Sequence, residues 1–418
     1  MGKKFDIPNF YRSSVIALLK QLRKTQDPRK RDFTPTELDL GNVKFKIARH
    51  FGFCYGVENA IEIAYRALEE NPGKRVFLLS EMIHNPQVNA DLNARGVKFL
   101  QTTEGKQLID FNTLTKEDVV IVPAFGTTVE LFERLRIIGI DPYRYNATCP
   151  FVEKVWKRSD ELGRQGFSVI IHGKEVHEET RATFSHAKVN APSLVIRDMK
   201  EAQELACYLR GEMSEEHFNE KFGNRVSPNF DPKRDLERIG VVNQTTMLAT
   251  ETLAISDVLK EAVRVRRGDS QLKDYFADTR DTLCYATWDN QEAVNGMISA
   301  GGDVAIVVGG YNSSNTSHLV ELLEEHYPTY YVKDPSDLIS RSRIKHLKWR
   351  TGEVVESEDW LPHKPCLTIM ITAGASCPDS IVDAVISKTA ELLGVDTKIS
   401  DAISTLQEQI ASTGISGL

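Results

Sequence analysis

Three cysteines carry the first candidate chemistry, because each lies directly before a predicted helix. They are Cys54, Cys149 and Cys284, and roughly one α/β domain separates each from the next. A helix N-terminus favours a thiolate through its dipole and its free N–H groups. Three thiolates that converge suit a soft metal centre, either zinc or an iron–sulfur cluster. The alternative is three buried cysteines that act as small hydrophobic side chains, and no Cys-x-x-Cys pair decides between the two.

Two polar loops, residues 312–315 and 372–376, each follow a predicted buried strand and lead into a predicted helix. Small residues let a backbone approach a ligand, and hydroxyls together with the N–H groups of a helix start bind anions. Open parallel sheets bind ligands at the carboxyl ends of their strands. The loops therefore predict a phosphate site, and helix capping by Ser and Asn is the alternative. His84 follows another predicted strand and either caps a helix or binds a ligand.

Two further polar segments, residues 177–180 (His-Glu-Glu-Thr) and 243–246 (Asn-Gln-Thr-Thr), follow predicted core strands. His177 and Glu179, at a junction between a loop and a helix, could act as proton donor and relay. The alternative is that Glu179 is an ordinary carboxylate in the first turn of a helix and that Thr245 is an N-cap.

The elements that must position these residues alternate between strand and helix along the chain. Short apolar runs predict buried strands at residues 45–48, 76–79, 119–122, 168–171, 239–242, 303–308 and 367–371. Apolar residues at helical spacing predict helices at residues 58–68, 152–162, 248–263, 291–298 and 381–393. This alternation predicts an α/β fold with parallel sheets that helices cover on both faces.

Composition narrows the class of protein. A length of 418 residues suggests about three domains, and the net charge of −7 argues against a general nucleic-acid-binding surface. The longest apolar runs are far shorter than the ~20 residues that span a bilayer, so no membrane segment is predicted. The six cysteines lie far apart, which is typical of a reducing compartment. We therefore expect a soluble protein of the cytoplasm, with the plastid stroma as the less favoured location.

The expected organisation is a series of α/β domains behind a basic arm. The predicted segments are an N-terminal arm (1–42), three α/β domains (43–148, 149–282 with a polar insertion near 210–238, and 283–395) and a C-terminal tail (396–418). In the arm, residues 11–24 predict a basic amphipathic helix and residues 34–37 a turn. A packed or partly disordered arm is favoured over a transit peptide, because acidic residues interrupt it.

Taken in order, these motifs resemble one known family. The matching segments are residues 52–57, 84–86, 147–150, 177–180, 243–246, 284–287, 312–315 and 372–376. Together they resemble the 4-hydroxy-3-methylbut-2-enyl diphosphate reductases, the LytB/IspH family. The longer N-terminus, the middle insertion and the His-Glu-Glu-Thr form are similar to its cyanobacterial and plant branch.

The resemblance implies a fold and a reaction. The family fold is a pseudo-threefold trefoil of three α/β domains, in which Cys54, Cys149 and Cys284 would ligate a central 4Fe-4S cluster (3Fe-4S after oxidative loss of one iron). The substrate hydroxyl would bind the iron that lacks a protein ligand. Two electrons and protons would then convert the allylic diphosphate to isopentenyl and dimethylallyl diphosphate, the last step of the methylerythritol phosphate route to isoprenoids. Reduced ferredoxin or flavodoxin is the implied electron donor, and the chain is expected to be a monomer or a homodimer.

The resemblance also implies residue roles. Glu179 would supply protons, with His177 and Thr245 beside it. The positions that would contact substrate are His84, His177, Thr245, Ser313, Ser314, Asn315 and Ser376. One departure is Phe125, which stands where many bacterial members have a second phosphate-contacting histidine. The hydroxyls of Thr127 or Thr128, or the amine of Lys174, are the hypothesised replacements.

Two other classes of function stay open at this point. One is a noncatalytic phospholigand-binding protein with zinc or no metal at the cysteines, and the other is an electron-transfer or redox-sensing iron–sulfur protein. The polar residues beside the cysteines favour the reductase, because an electron carrier has no use for a phosphate site.

Overall fold

The computed structural model describes residues 6–29, 31–277, 279 and 282–414. The chain divides into two compact units. The first unit comprises the described residues of Met1–Glu58, His84–Pro86 and Ala286–Leu418, and the second comprises those of Asn59–Ile83 and Gln87–Tyr285.

The described strands, numbered in chain order, are β1 (Thr36–Asp39), β2 (Val43–Ile47), β3 (Val76–Leu78), β4 (Lys98–Phe99), β5 (Val119–Ile121), β6 (Ser168–His172), β7 (Ser193–Ile196), β8 (Ile239–Asn243), β9 (Phe276–Ala277), β10 (Val304–Val308), β11 (Thr329–Val332), β12 (Arg343–Lys348), β13 (Glu353–Glu358) and β14 (Leu367–Ala373). The described α-helices are α1 (Ser14–Gln26), α2 (Tyr55–Glu70), α3 (Pro86–Ala94), α4 (Val129–Ile138), α5 (Pro150–Arg164), α6 (Glu178–Ala187), α7 (Met199–Arg210), α8 (Glu215–Phe222), α9 (Pro232–Asp235), α10 (Ala249–Arg267), α11 (Leu272–Tyr275), α12 (Tyr285–Ala300), α13 (Ser314–Glu324), α14 (Asp379–Leu392) and α15 (Ile399–Gly414).

The first unit is built on a seven-stranded sheet with the order β1-β2-β14-β10-β11-β12-β13. The central strands β2, β14, β10 and β11 run parallel, and the antiparallel strands β1, β12 and β13 form the two edges. Strand β10 is a continuous apolar run, and β14 is apolar except for Thr368 and Thr372, because both faces of a parallel sheet are buried. The pairing of Val43 with Leu367 brings an early strand and a late strand of the chain into one sheet.

In the described part of the N-terminal arm, helix α1 packs on the first unit. Ile16 and Leu19 of α1 are buried in the core of the first unit. The side chain of Ser13 caps the helix by accepting from the backbone N–H of Ile16, and it donates to Asp383 at 2.9 Å. The predicted turn at residues 34–37 is wrong, because Thr36 starts strand β1. Its alternating buried and exposed residues suit an edge strand, and a proline just before the first residue costs no ladder hydrogen bond.

The second unit holds two all-parallel sheets, with the orders β4-β3-β5 and β7-β6-β8-β9. The polar insertion near residues 210–238 folds into α8 and α9. Phe218 and Phe222 of α8 anchor it, because both rings are fully buried in the core of this unit.

The α/β class with largely parallel sheets is confirmed, and every predicted strand lies within two residues of an observed one. The predicted C-terminal tail contains helix α15, which was not anticipated. The boundaries of the three expected domains stay a prediction. No helix in the described ranges combines the length and the apolar composition that crossing a membrane requires.

Candidate active site

The first group of candidate residues surrounds a buried acid in the second unit. Helix α6 begins at Glu178 because His177 caps it, and the Nδ1 atom of His177 accepts a hydrogen bond from the backbone N–H of Glu179 at 3.2 Å. A ring nitrogen that accepts carries no proton, so this contact leaves the proton of a neutral His177 on Nε2. The side chain of Glu179 is 1% exposed.

Thr245 is the hydrogen-bonding partner of this acid. Strands β6 and β8 are parallel neighbours, and His172 pairs with Asn243 at their ends, so the segments that follow leave the sheet at the same edge. The backbone N–H of Thr245 donates to Oε1 of Glu179 at 2.5 Å, and the Thr245 hydroxyl donates to Oε2 at 2.9 Å. Both carboxyl oxygens of Glu179 therefore contact one residue.

Gln244 holds the two segments in register. Its Oε1 atom accepts from the hydroxyl of Thr180 at 2.9 Å and from the backbone N–H of Lys174 at 3.1 Å. Its side chain is completely buried. Gln244 was not singled out from the sequence, although its place between Asn243 and Thr245 in the polar motif could have indicated it.

Burial sets the protonation of two adjacent carboxyls. Desolvation raises the pKa of Glu179 to about 7, and the hydrogen bonds from Thr245 act in the opposite direction. Desolvation likewise raises the pKa of Glu178 to about 8, against a hydrogen bond from the hydroxyl of Ser80. Near neutral pH, Glu179 can therefore both hold and release a proton, which is what a general acid requires.

Two of the three candidate cysteines belong to the same unit. Cys149 is the N-cap of α5, Pro150 occupies the first position of that helix, and the Cys149 N–H donates to the carbonyl of Ala124 at 2.9 Å. Cys284 directly precedes α12. Both thiols are partly exposed.

Two contacts fix the segment that carries Cys284. The ring of Tyr285 packs edge-on against the ring of Phe151, with the centroids 4.8 Å apart, so Tyr285 lies beside the first turn of α5. The hydroxyl of Thr282 donates to Oδ1 of Asn243 at 2.8 Å, which ties this segment to the end of β8. Within the second unit, these contacts link the start of α5 to Tyr285, and the segment that carries Cys284 to the end of β8.

The first unit holds the polar loops and the third cysteine. Ser313 caps α13 by accepting from the backbone N–H of Thr316 at 3.3 Å, and Ser314 and Asn315 form the buried first turn of that helix. In the second loop, the hydroxyl of Ser376 donates to the backbone carbonyl of His84 at 3.1 Å.

Asn315 connects the two loops through its side-chain oxygen, and its side-chain Nδ2 group has no acceptor among the described residues. Its Oδ1 atom accepts from the N–H of Ala375 at 2.8 Å, and the Ala375 carbonyl accepts from the N–H of Cys54 at 3.2 Å. The Nδ2 group of Asn315 is buried and has no acceptor among the described residues. A buried amide donor without a partner indicates a place for an acceptor that is not part of the protein.

Glycines in these loops serve close packing between loops. A Cβ atom on Gly374 would lie 2.0 Å from the Thr316 hydroxyl oxygen, and one on Gly310 would lie 2.5 Å from the carbonyl oxygen of His84. The small residues that suggested approach to a ligand are therefore needed first for contact with neighbouring protein atoms.

The predicted site residues fall into two sets. The first unit contains Cys54, His84, Ser313, Ser314, Asn315 and Ser376, and the second contains Cys149, His177, Glu179, Thr245 and Cys284. Over the described ranges, no three His, Cys, Asp or Glu side chains form a group that could hold a metal ion. No disulfide uses any of the six cysteines, all of which lie in those ranges. The donor set of partly exposed thiols at helix starts suits an iron–sulfur cluster, and its assignment stays a prediction.

Phe125 contributes packing to the acid site. Its ring lies edge-on against that of His177, with the centroids 5.8 Å apart. Of its hypothesised replacements, Thr128 uses its hydroxyl to accept from the backbone N–H of Leu131 as the N-cap of α4. That hypothesis stays a prediction.

The fold and the site define an α/β protein with a protonatable buried acid in one unit and a polar pair of loops in the other. The family model of the LytB protein matches residues 45–390. The chain belongs to the LytB family.

Its relatives include a 4-hydroxy-3-methylbut-2-enyl diphosphate reductase from Synechococcus sp., which is 38% identical over 94% of each chain. A chloroplastic reductase of the same name from Botryococcus braunii is 37% identical over 89% of this chain and 72% of its own. The fold is shared with the solved E-1-hydroxy-2-methyl-but-2-enyl-4-diphosphate reductase from Plasmodium falciparum, which has a TM-score of 0.60, 20% identity, and coverage of 83% of this chain and 87% of its own.

Proposed function

We propose that this chain is an iron–sulfur reductase that removes the hydroxyl of 4-hydroxy-3-methylbut-2-enyl diphosphate, and that the products are isopentenyl and dimethylallyl diphosphate. The observation that carries the proposal is the buried Glu179, held by Thr245, in a chain whose family match spans every polar motif. The reaction consumes two electrons and two protons, breaks the carbon–oxygen bond and releases water. It therefore needs an acid that stays protonated near neutral pH.

Glu179 is suited to deliver protons to the departing hydroxyl. Burial raises the pKa of its carboxyl to about 7, so the protonated form dominates below that pH. Thr245 contacts both carboxyl oxygens and so fixes their orientation. After release of the proton, the two hydrogen bonds from Thr245 stabilise the carboxylate. His177 keeps the first turn of α6 in place, because its Nδ1 atom accepts from the backbone N–H of Glu179.

The polar loops of the first unit are suited to hold the diphosphate. Asn315 offers its buried Nδ2 donor, Ser313 and Ser314 offer hydroxyls, and the N-terminus of α13 adds a positive dipole. Ser376 and His84 border the same loops. Binding of the unreacting diphosphate would orient the allylic alcohol, which is how remote binding energy contributes to catalysis.

Cys54, Cys149 and Cys284 are the proposed ligands of a 4Fe-4S cluster. When bound, that cluster would supply single electrons and an iron that acts as a Lewis acid. A helix N-terminus behind each cysteine would favour the thiolate that ligation requires. A low-potential carrier such as ferredoxin or flavodoxin is the proposed electron donor, and the cytoplasm is the proposed location.

Anaerobic purification with iron and sulfide analysis, followed by turnover with a low-potential reductant, tests the proposal. About four irons and four sulfides together with turnover would support the reductase. A cluster without turnover would favour the electron carrier or redox sensor. Absence of iron after reconstitution would favour the phospholigand-binding protein and contradict the proposal.

The kcat of the enzyme is expected to fall as the pH rises above about 7, because Glu179 must be protonated to donate. Its pKa is raised, so the protonated form dominates below that value and the carboxylate above it. The measurement is kcat between about pH 6 and pH 9 at saturating substrate. Thr245→Val removes a hydrogen bond that favours the carboxylate, so the falling limb should move to higher pH. A limb at the same pH in both proteins would assign it to another group.

Asn315→Asp is expected to raise KM by about 10- to 100-fold with a much smaller change in kcat. The substitution keeps the acceptor for the Ala375 N–H, removes the Nδ2 donor and adds a negative charge. Steady-state kinetics measures both constants. Asn295→Asp on the exposed face of α12 is the matched control and should leave KM unchanged. An unchanged KM in Asn315→Asp would show that the diphosphate binds elsewhere.

A further inference from the structure

The second unit contains a cavity of about 310 Å³ that the proposed reaction does not use. Its wall includes Ser80, Thr127, Arg134, Glu178 and Arg181, but neither Glu179 nor Thr245. A concave site of this volume is large enough for a small ligand. We call it the Arg134–Arg181 cavity.

Arg181 enters this cavity with unused donors. Its two terminal nitrogens donate to the backbone carbonyls of Glu104 and Thr103, at 2.9 and 2.5 Å. Within the described ranges its buried Nε has no hydrogen-bond acceptor. No carboxylate there lies within ion-pair distance of Arg181, although the charges of Glu178 and Glu104 favour its charged form. Desolvation lowers the pKa of Arg181 from its ordinary value. A half-buried guanidinium without a carboxylate is costly, and an anion in the cavity would offset that cost.

Gly105 fixes the position of this guanidinium. A Cβ atom on Gly105 would lie 2.1 Å from an Arg181 terminal nitrogen, and the φ of Gly105 is +89°, which favours glycine. The arginine is therefore held against a backbone segment that is shaped to receive it, which reduces the entropy that a ligand would have to remove.

Arg134 supplies the second positive charge. Its guanidinium lies over the ring of Phe111, 4.4 Å from the centroid, and no described carboxylate lies within ion-pair distance of it. Arg134 belongs to α4, whose N-cap Thr128 also lines the cavity. The N-terminal end of that helix adds a positive dipole.

The carboxyl in the wall does not cancel these charges near neutral pH. Burial raises the pKa of Glu178 to about 8, although Arg181 and the Ser80 hydroxyl favour its ionised form. A protonated carboxyl can donate a hydrogen bond to an anion. The other acids that act on this group are Glu81 and Glu104, and neither lines the cavity.

We propose that the Arg134–Arg181 cavity is a binding site for the phosphoryl group of a small metabolite. The cavity offers two arginines that form no ion pair with a described carboxylate, a threonine hydroxyl and a helix N-terminus. Groups of these kinds bind phosphate in proteins. None of the lining residues belongs to the loops proposed for the substrate diphosphate, so the proposal does not rest on the proposed function.

Calorimetric titration of the full chain with inorganic phosphate tests the proposal. Arg134→Gln and Arg181→Gln should each weaken binding by about tenfold or more, because each removes a charge-assisted hydrogen bond. Arg136→Gln is the matched control, since Arg136 is an exposed residue of the same helix that pairs with Glu133. Asn315→Asp is expected to weaken phosphate binding at the proposed diphosphate loops, so binding that keeps its affinity in this variant is assigned to another site. Equal affinity in the wild type and in Arg134→Gln would overturn the proposal, as would binding that vanishes in Asn315→Asp alone.

A pH series with sulfate gives a second test. Sulfate keeps its charge across the range, whereas Glu178 ionises as the pH rises through about 8. Sulfate affinity should therefore fall between about pH 7 and pH 9 in the wild type and stay level in Glu178→Gln. The same fall in both proteins, or no sulfate binding at any pH, would contradict an anion site beside Glu178. This test needs only a folded chain, which keeps its failure distinct from failure of the reductase proposal.

Discussion

Replacing Glu179 by glutamine is expected to lower kcat by about 100-fold or more, because positioned general acids contribute about 10²- to 10⁴-fold to proton-transfer steps. Glutamine keeps the shape of the side chain and one oxygen that can accept from Thr245. It removes the exchangeable acid proton that the departing hydroxyl requires. The measurement is turnover of the allylic diphosphate with a chemical reductant, with iron and sulfide determined on the same preparation.

The controls must show that the loss of turnover results from the missing proton of Glu179 and not from loss of the cluster or of the fold. Iron and sulfide content and the thermal unfolding temperature should match the wild type, since glutamine has nearly the same volume and its amide can pair with the backbone N–H and the hydroxyl of Thr245. Glu175→Gln, four residues earlier and exposed, is the matched control and should retain full turnover. Turnover within about threefold of wild type in Glu179→Gln would assign the acid role to another residue or to solvent.

Much of the fold could be predicted because burial in a parallel sheet leaves a strong local signal. Strand β10 is Val-Ala-Ile-Val-Val, buried at every position, and no amphipathic helix produces that run. Strand β13, Glu-Val-Val-Glu-Ser-Glu, was missed because it lies at an exposed edge and contains more polar than apolar residues. Edge strands of this kind carry charges that oppose further pairing, and the same charges hide the strand in the sequence.

Contacts between distant segments could not be predicted from composition. Strand β2 pairs with β14, which lies more than 300 residues later in the sequence. The hydrogen bonds between the two strands join backbone groups, which every sequence shares. From the alternation of strands and helices alone, residues 43–47 are expected in the same domain as the segment that follows them (43–148). The register of such a pair depends on which buried faces fit together, and that information lies in the whole core.

The candidate site divides in the same way. The polar motifs were visible because polar side chains interrupt apolar runs where strands end, as Asn243 and Gln244 do after β8. What no spacing shows is that Thr245 contacts both carboxyl oxygens of Glu179, since that requires β6 and β8 to be neighbours in the sheet. The raised pKa of Glu179 follows from that burial and not from its sequence neighbours.

Replacing Cys149 or Cys284 by serine is expected to remove most of the bound iron and, with it, all measurable turnover. A serine hydroxyl is far less acidic than a thiol and a harder ligand, so it binds iron of a sulfur cluster poorly. The two helix starts that carry these cysteines are held by protein contacts, the Phe151–Tyr285 rings and the Thr282–Asn243 hydrogen bond, that the substitutions do not touch. The apo fold of each variant should therefore persist.

Iron and sulfide analysis of anaerobically reconstituted protein is the direct readout, and far-ultraviolet circular dichroism confirms that each variant is folded. Cys366→Ser is the matched control, because Cys366 is exposed and lies outside the three helix starts, and it should bind iron like the wild type. Cys54→Ser should behave as the other two do if all three thiols ligate one cluster, although its helix start belongs to the first unit. Full iron content in either Cys149→Ser or Cys284→Ser would remove that cysteine from the ligand set. Loss of iron in Cys149→Ser and Cys284→Ser, with full iron in Cys54→Ser, would assign the metal ligands to the second unit alone. Cys54 would then not be a ligand, and the proposal that all three cysteines hold one cluster would be wrong.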